Sequence, residues 1–306
     1  MVVFLRLIEG FNIFRKGIDN WFSVALFQFI FKKDCVCKIK NIGSVKLKGG
    51  KNYLDNSLFR ALVFSNSKDL SKEQYDILKT YLPQLENDVI TIINYEDKRE
   101  FKFLNKEMSL IFESFLYGDY INIPYSDDGK KSIIDIGANV ADTAIYFANK
   151  GYEVVAFEPL PHIYNIAQKN IDLNPQIKNN ITFVNKACSC KNGFTTINFN
   201  ENDSGGASEF SKANRQVEVE TITIENALKE YDIKPNILKI DCEGCEVNII
   251  KHSDLSMFNQ IIMEYHTSIT GVDVNILINI LKEQGFNIKD QVKFKNKNMG
   301  IIYLGK

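Results

Sequence analysis

From residue 131 onward the chain repeats one pattern, a short apolar run followed by a longer amphipathic stretch. The apolar runs are Ile133–Ile136, Glu153–Phe157, Ile181–Val184, Ile237–Ile240 and Ile261–Glu264. Helix-like stretches separate them at Asp142–Lys150, Ile163–Leu173, Thr223–Tyr231, Glu246–His252 and Val274–Gln284. Parallel strands need long crossovers, usually helical, so this alternation predicts an α/β fold built on a doubly wound, mostly parallel sheet. The closing MGIIYLGK adds a strand with no helix after it. The sheet domain is placed at residues 105–306 and an N-terminal α/β extension at 1–104.

The extension reads as strand-like pieces, CVCKIKNI and SVKLKGG, then a helix over Ser71–Tyr81 whose Ser71 and Gln74 are spaced as a capping box. Asn87–Leu104 reads as a hairpin around the polar tip Glu96-Asp97-Lys98, Glu107–Leu116 as a helix and Gly118–Lys130 as a turn-rich connector. The apolar segment Trp21–Phe31 is too short to cross about 30 Å of hydrocarbon as a helix. Arg6, Glu9, Arg15 and Lys16 precede it, the wrong order for a signal peptide. The segment is expected to be a helix packed on the domain or on a second subunit rather than an interfacial membrane helix.

Lys and Arg total 37 against 38 Asp and Glu, and no basic run with interleaved aromatics occurs, which argues against a nucleic-acid partner. The cysteines fall in three close pairs, Cys35/Cys37, Cys188/Cys190 and Cys242/Cys245. That pattern fits reduced thiols in a cytoplasmic protein rather than a disulfide framework, and no metal-thiolate site is expected.

In an open parallel sheet, ligands sit beyond the carboxyl ends of the strands. IIDIGANVADT lies at that point after the first strand, with Gly137 free to turn sharply and the amides near Asn139 facing the crevice. A dinucleotide fingerprint needs glycines at its first, third and sixth positions, but here the third is Asn139 and the sixth Asp142. Asp135 and Asp142 would repel a pyrophosphate and attract an ammonium or a sulfonium. Glu158, at the end of the second strand, is placed to accept hydrogen bonds from two ribose hydroxyls, and Asn185 to meet an adenine edge. S-adenosylmethionine is a ligand with these groups.

The fourth strand runs into a second carboxylate cluster, Asp241, Glu243 and Glu246 around Gly244. Gathering three acids there calls for a cation or hydrogen-bond donors. Lys239 shares a strand face with Asp241 and can pair with it, while Glu243 and Glu246 can equally favour a helix N-terminus. His266, just past the fifth strand, has an ordinary pKa near roughly 6.5 that suits a general base, and Glu264 on the same face could orient it. Asn200–Phe210, rich in Gly and Ser, reads as a loop near the acceptor.

IIDIGANVADTAIYFA, followed by VVAFEP and LKIDCEGCE, resembles the FkbM-type S-adenosylmethionine-dependent methyltransferase family over about residues 105–306. Ala141 stands where the family usually has Gly. The resemblance implies a class I methyltransferase fold, S-adenosylmethionine as cofactor and O-methylation of a saccharide or other small-molecule hydroxyl. It also implies a cofactor role around Ser204 and Gly205.

Together, pattern and resemblance put the cofactor site at Asp135, Gly137, Ala138, Asn139, Asp142, Thr143, Glu158, Pro159, Asn185, Ala187, Asp241 and Glu243. The catalytic candidates are His266, Asp241 and Lys239, and no metal ligands are assigned. Two other readings stay open, a metal-assisted transferase in which Asp241 helps to hold a divalent cation, and a binding or assembly protein that keeps the fold without transfer. A homo-oligomer is compatible with either.

Overall fold

The computed structural model describes residues 18–26, 31, 33, 35–39, 43–47, 81–86, 89–94, 99–104, 108–115, 131–200, 203–208, 214–294 and 298–306. Two compact units emerge, Met1–Asn122 and Ile123–Lys306.

In the first unit, helix α1 (Trp21–Ala25) packs on strand β1 (Cys35–Ile39), which pairs antiparallel with β2 (Gly43–Leu47). Asn20 ties the helix down: its amide donates to the Val36 carbonyl at 2.7 Å and accepts from the Lys38 N–H at 2.7 Å. Ile18, Val24 and Cys37 are buried there while Phe22 stays exposed. No helix among the described residues is long and apolar enough to cross a membrane.

A three-stranded antiparallel sheet follows, β3 (Tyr81–Glu86), β4 (Val89–Asn94) and β5 (Glu100–Leu104). Helix α2 (Met108–Phe115) packs Phe115 on Phe101 and Phe103. The hairpin is present as expected, with an added strand in front of it. That strand begins at Tyr81, the last residue of the expected helix; residues 71–80, the hairpin tip and the connector lie outside the described residues.

The second unit is the alternating one. Its elements run β6 (Ser132–Ile136), α3 (Asp142–Asn149), β7 (Glu153–Phe157), α4 (Pro161–Asp172), β8 (Ile181–Val184), β9 (Ala187–Cys188), β10 (Gly193–Asn200), β11 (Asp203–Ser208), β12 (Arg215–Ile222), α5 (Ile224–Glu230), β13 (Ile237–Ile240), α6 (Cys245–His252), β14 (Gln260–His266), α7 (Thr267–Thr270), α8 (Val274–Glu283), β15 (Asn287–Lys293) and β16 (Met299–Gly305). Seven strands make one sheet in the order β15-β16-β14-β13-β6-β7-β8, parallel except for β16, which runs antiparallel to both neighbours.

Strands β6 and β13 are buried along their whole length, as the interior of a parallel sheet covered on both faces must be. Alternate residues Ile134, Ile136, Val155, Phe157, Leu238, Ile240, Ile261 and Met263 share one core with α5, α6 and α8. Helix α3 packs on β6, β7 and β8 and contributes nothing to that core, so the sheet is wound on both faces. Edge strand β15, NIKDQVK, is exposed and charged, which suits an edge.

A second sheet, ordered β11-β10-β12-β9, was not expected. The stretch read as a loop over Asn200–Phe210 holds β11, antiparallel to β10. DSGGAS has little strand propensity of its own; its pairing partner makes it a strand.

Candidate active site

Two turns leave the carboxyl ends of the adjacent strands β6 and β13, where Asp135 faces Lys239 in register. The first runs from Gly137 to Asp142. Gly137 has φ 78°, and a Cβ there would lie 1.7 Å from the Asp241 carbonyl oxygen, so only glycine lets the two turns meet. Asn139 (φ 44°) and Ala141 (φ 66°) are also left-handed. The usual family glycine at 141 is thus explained, and Ala141 adopts the same conformation at a steric cost.

Hydrogen bonds within the protein hold this turn. The Gly137 and Ala138 amides donate to the Phe157 carbonyl at 3.1 and 3.0 Å, and Ala141 donates to the Ala138 carbonyl at 2.8 Å. Asn139 donates to Glu158 Oε2 at 3.1 Å, and Asn170 from α4 donates to the Val140 carbonyl at 2.8 Å. The amides near Asn139, expected to face a ligand, are therefore engaged at 137, 138, 139 and 141.

Glu158 also accepts from the Leu160 amide at 2.9 Å. Burial pushes its carboxyl up to about 7, against the two backbone hydrogen bonds that pull it down. The Asn185 amide nitrogen donates to the carbonyls of Glu158 and Pro159 at 2.8 and 2.9 Å, which fixes the orientation of its Oδ1. Asp142, buried, opens α3 where the helix dipole favours a carboxylate.

Asp135, expected to face the cofactor, is fully buried. Thr143 Oγ1 donates to its Oδ2 at 2.5 Å and Lys239 Nζ lies 2.9 Å from its Oδ1. Its charge is already balanced, because the register puts a lysine beside it on the next strand. Lys239 is 3.8 Å from Asp241 as well. Burial disfavours its charge, but Asp135 and Asp241 reverse that and raise its pKa above the ordinary value. An ammonium so held positions the two acids and has no proton to give up near neutral pH. Ala187 sits in β9, paired with Thr221 in the second sheet.

The second turn is built differently. Glu243 (φ 53°) and Gly244 (φ 118°) fold the chain back so that Cys242 and Cys245, with Cα atoms 5.4 Å apart, form a disulfide. The reduced thiols expected for this pair are thereby corrected; the bridge closes one local turn and is no framework. Glu246, 1% exposed, accepts the Gly244 amide on Oε2 at 2.7 Å and the His266 amide on Oε1 at 3.0 Å. It fastens the turn to the end of β14.

His266 is buried among four carboxylates. Its Nε2 is 3.4 Å from Glu243, 3.6 Å from Glu264 and 4.0 Å from Asp241, and its Nδ1 is 3.5 Å from Glu246. Neither ring nitrogen makes a well-aligned hydrogen bond, although each faces a carboxylate at ion-pair distance. Burial alone would lower its pKa; the acids, Glu246 and Glu264 foremost, raise it to about 11. The ordinary value near roughly 6.5 that would suit a free general base does not hold here. Burial and then Glu264 push the Asp241 carboxyl up, against Lys239 and His266.

Glu264 and Glu246 stand in this cluster beside the residues assigned to the site. Glu264 is expected there from its strand spacing to His266. Glu246 is expected as a member of the carboxylate cluster, but its contact with His266 is not, because it joins two elements twenty residues apart.

The model of the methyltransferase FkbM domain matches residues 135–288, half of the chain. This chain belongs to the FkbM methyltransferase family. The sheet is accordingly the doubly wound class I methyltransferase arrangement that the resemblance implied, and both turns lie within the matched FkbM domain.

Among similar proteins, methyltransferase sdnD of Sordaria araneosa is 27% identical over 51% of this chain and 70% of its own. Hexuronic acid methyltransferase AglP of Haloferax volcanii is 25% identical over 48% of this chain and 61% of its own. A crystal structure of an FkbM methyltransferase from Methylobacillus flagellatus superposes with a TM-score of 0.47 at 17% identity, over 63% of this chain and 47% of that one.

Proposed function

We propose that this FkbM-family chain is an S-adenosylmethionine-dependent O-methyltransferase acting on a hydroxyl of a saccharide or other small-molecule acceptor. One observation carries the choice of ligand: four amides of the glycine turn are engaged inside the protein, while Glu158 and Asp142 stand at its sides. A phosphate needs free amides. A ligand bearing hydroxyls, an ammonium and a sulfonium needs acceptors and negative charge, and the residues present fit that set.

S-adenosylmethionine, when bound, supplies an electrophilic methyl group. Glu158 would accept the ribose hydroxyls with the lone pairs that Leu160 and Asn139 leave over, and Asn185 Oδ1 would meet the adenine. Asp142 would add negative charge near the ligand's positive end, and Gly137 would set the floor of the crevice, where it meets the Asp241 backbone. On the acceptor side, Asp241 and Glu264 keep 30% and 20% of their side chains exposed, so their oxygens can hold an acceptor hydroxyl in line with the methyl group. Lys239 and Glu246 hold the cluster in place. The name of the hexuronic acid methyltransferase supports the saccharide class.

Calorimetric titration with S-adenosylmethionine, S-adenosylhomocysteine, NAD and ATP tests the proposal. The first two should bind, and Glu158→Ala should weaken them at least tenfold while the protein stays folded. Binding of NAD or ATP instead, or of none of the four, overturns it.

A further inference from the structure

His266 carries two ring nitrogens, 1% exposed as a residue, neither of which makes a well-aligned hydrogen bond. Buried polar atoms are ordinarily matched by aligned partners, so their surroundings call for an occupant. Nδ1 faces Glu246, whose Oε1 already accepts the backbone N–H of the same histidine. That is the arrangement in which an outer carboxylate fixes a metal-binding ring and leaves Nε2 to point at the ion. Nε2 in turn faces Glu243, Glu264 and Asp241 at 3.4, 3.6 and 4.0 Å, without a well-aligned hydrogen bond to any of them. Carboxylates gathered around one ring nitrogen repel one another unless a positive charge lies among them, either the ring's own proton or a metal ion.

We infer that Asp241, Glu264 and His266 form a divalent-cation site, suited to a first-row ion such as Mn²⁺. One ligand atom from each lies within 4.8 Å of the others. Ligands about 2.0–2.3 Å from a shared ion stand up to about 4.5 Å apart, so small side-chain adjustments close the set. With Cys242 and Cys245 tied in a disulfide, the cluster offers only oxygen and imidazole nitrogen, a mixture that favours Mn²⁺ over thiophilic ions. Three protein ligands leave positions open for an acceptor hydroxyl, which the ion would polarise. That catalytic consequence rests on the methyltransferase reading; the site itself does not.

The test is electron paramagnetic resonance of MnCl₂ titrated with the full chain, which reads loss of the free-ion signal, beside S-adenosylhomocysteine calorimetry on the same samples. One Mn²⁺ per chain is expected. Asp241→Asn and Glu264→Gln should each weaken it about a hundredfold or more, and Glu246→Gln, which removes only the outer carboxylate, about 10–100-fold. Glu264→Gln is isosteric and partly exposed, so it decides the matter even where His266→Ala fails to fold. No uptake by the wild type, or uptake unchanged in Asp241→Asn and Glu264→Gln, overturns the site and leaves an imidazolium proton as the occupant. S-adenosylhomocysteine binding without Mn²⁺ binding sinks only the cation site; the reverse sinks only the donor reading.

Discussion

The turn after β6 and the turn after β13 lie side by side, yet they are stabilised in opposite ways. The first is closed by main-chain hydrogen bonds and keeps its buried aspartate neutralised by Lys239 and Thr143. The second gathers acids around a histidine whose nitrogens make no well-aligned hydrogen bond. The first turn engages its main-chain amides inside the protein and balances its acid with a lysine, whereas the second sets four acids around one buried ring. Under the proposed function, the first turn is the donor side and the second the acceptor side.

Lys239 is the bridge between the two, at 2.9 Å from Asp135 and 3.8 Å from Asp241, so removing it should break the contrast most. Lys239→Met leaves Asp135 fully buried without its cation, a loss on the order of 3–5 kcal/mol. Urea denaturation should show it, and adding Asp135→Asn should recover most of it. No recovery in the double variant would mean that Lys239 acts mainly through Asp241.

Gly137→Ala attacks the other link, the contact of the two backbones. Its Cβ would need the 1.7 Å space at the Asp241 carbonyl and a φ that alanine disfavours, so a destabilisation of about 3 kcal/mol is expected. Binding of S-adenosylhomocysteine should fall with it, because the floor of the crevice moves. A variant with wild-type stability and binding would show that the turns are not in register.

Glu158 gives the donor side a pH dependence. Its folded pKa, about 7, lies above the value of 4.5 for the free side chain. Such a group favours the folded state fully below about pH 4.5, and that contribution is lost as pH rises through about 7, to an extent on the order of 3 kcal/mol. The difference in stability between wild type and Glu158→Gln, measured at pH 5 and pH 8, isolates it from other titrating acids. The two should diverge with the wild type losing more at high pH; parallel curves would place Glu158 in a wetter setting.

How much of this could be read in the residues differs between the same regions. The β6 to α3 turn was legible because spacing alone ruled out a dinucleotide loop, and the central strands because β-branched runs alternate with helical stretches. Strands β11 and β15 were not, since DSGGAS and NIKDQVK carry no apolar period and owe their form to β10 and β16. Asp135 was legible as important but not as buried, for that depends on the register that sets Lys239 beside it. The raised pKa of His266 depends on Glu246 and Glu243 folding back from another element, and no local pattern announces it.

The smallest expected effect concerns Ala141, which stands in the first turn where the family usually has Gly. At φ 66° an alanine costs about 1–2 kcal/mol relative to glycine, part of which it regains by restricting the unfolded chain. Ala141→Gly should therefore stabilise the protein by about 0.5–1 kcal/mol, readable as a small rise in urea midpoint at unchanged slope. Its influence on S-adenosylhomocysteine binding should be slight, because the Ala141 amide already donates to Ala138 and the Val140 carbonyl is held by Asn170. A large gain in binding with no change in stability would mean instead that the methyl group of Ala141 meets the ligand, and that the donor side is less closed on itself than its hydrogen bonds imply.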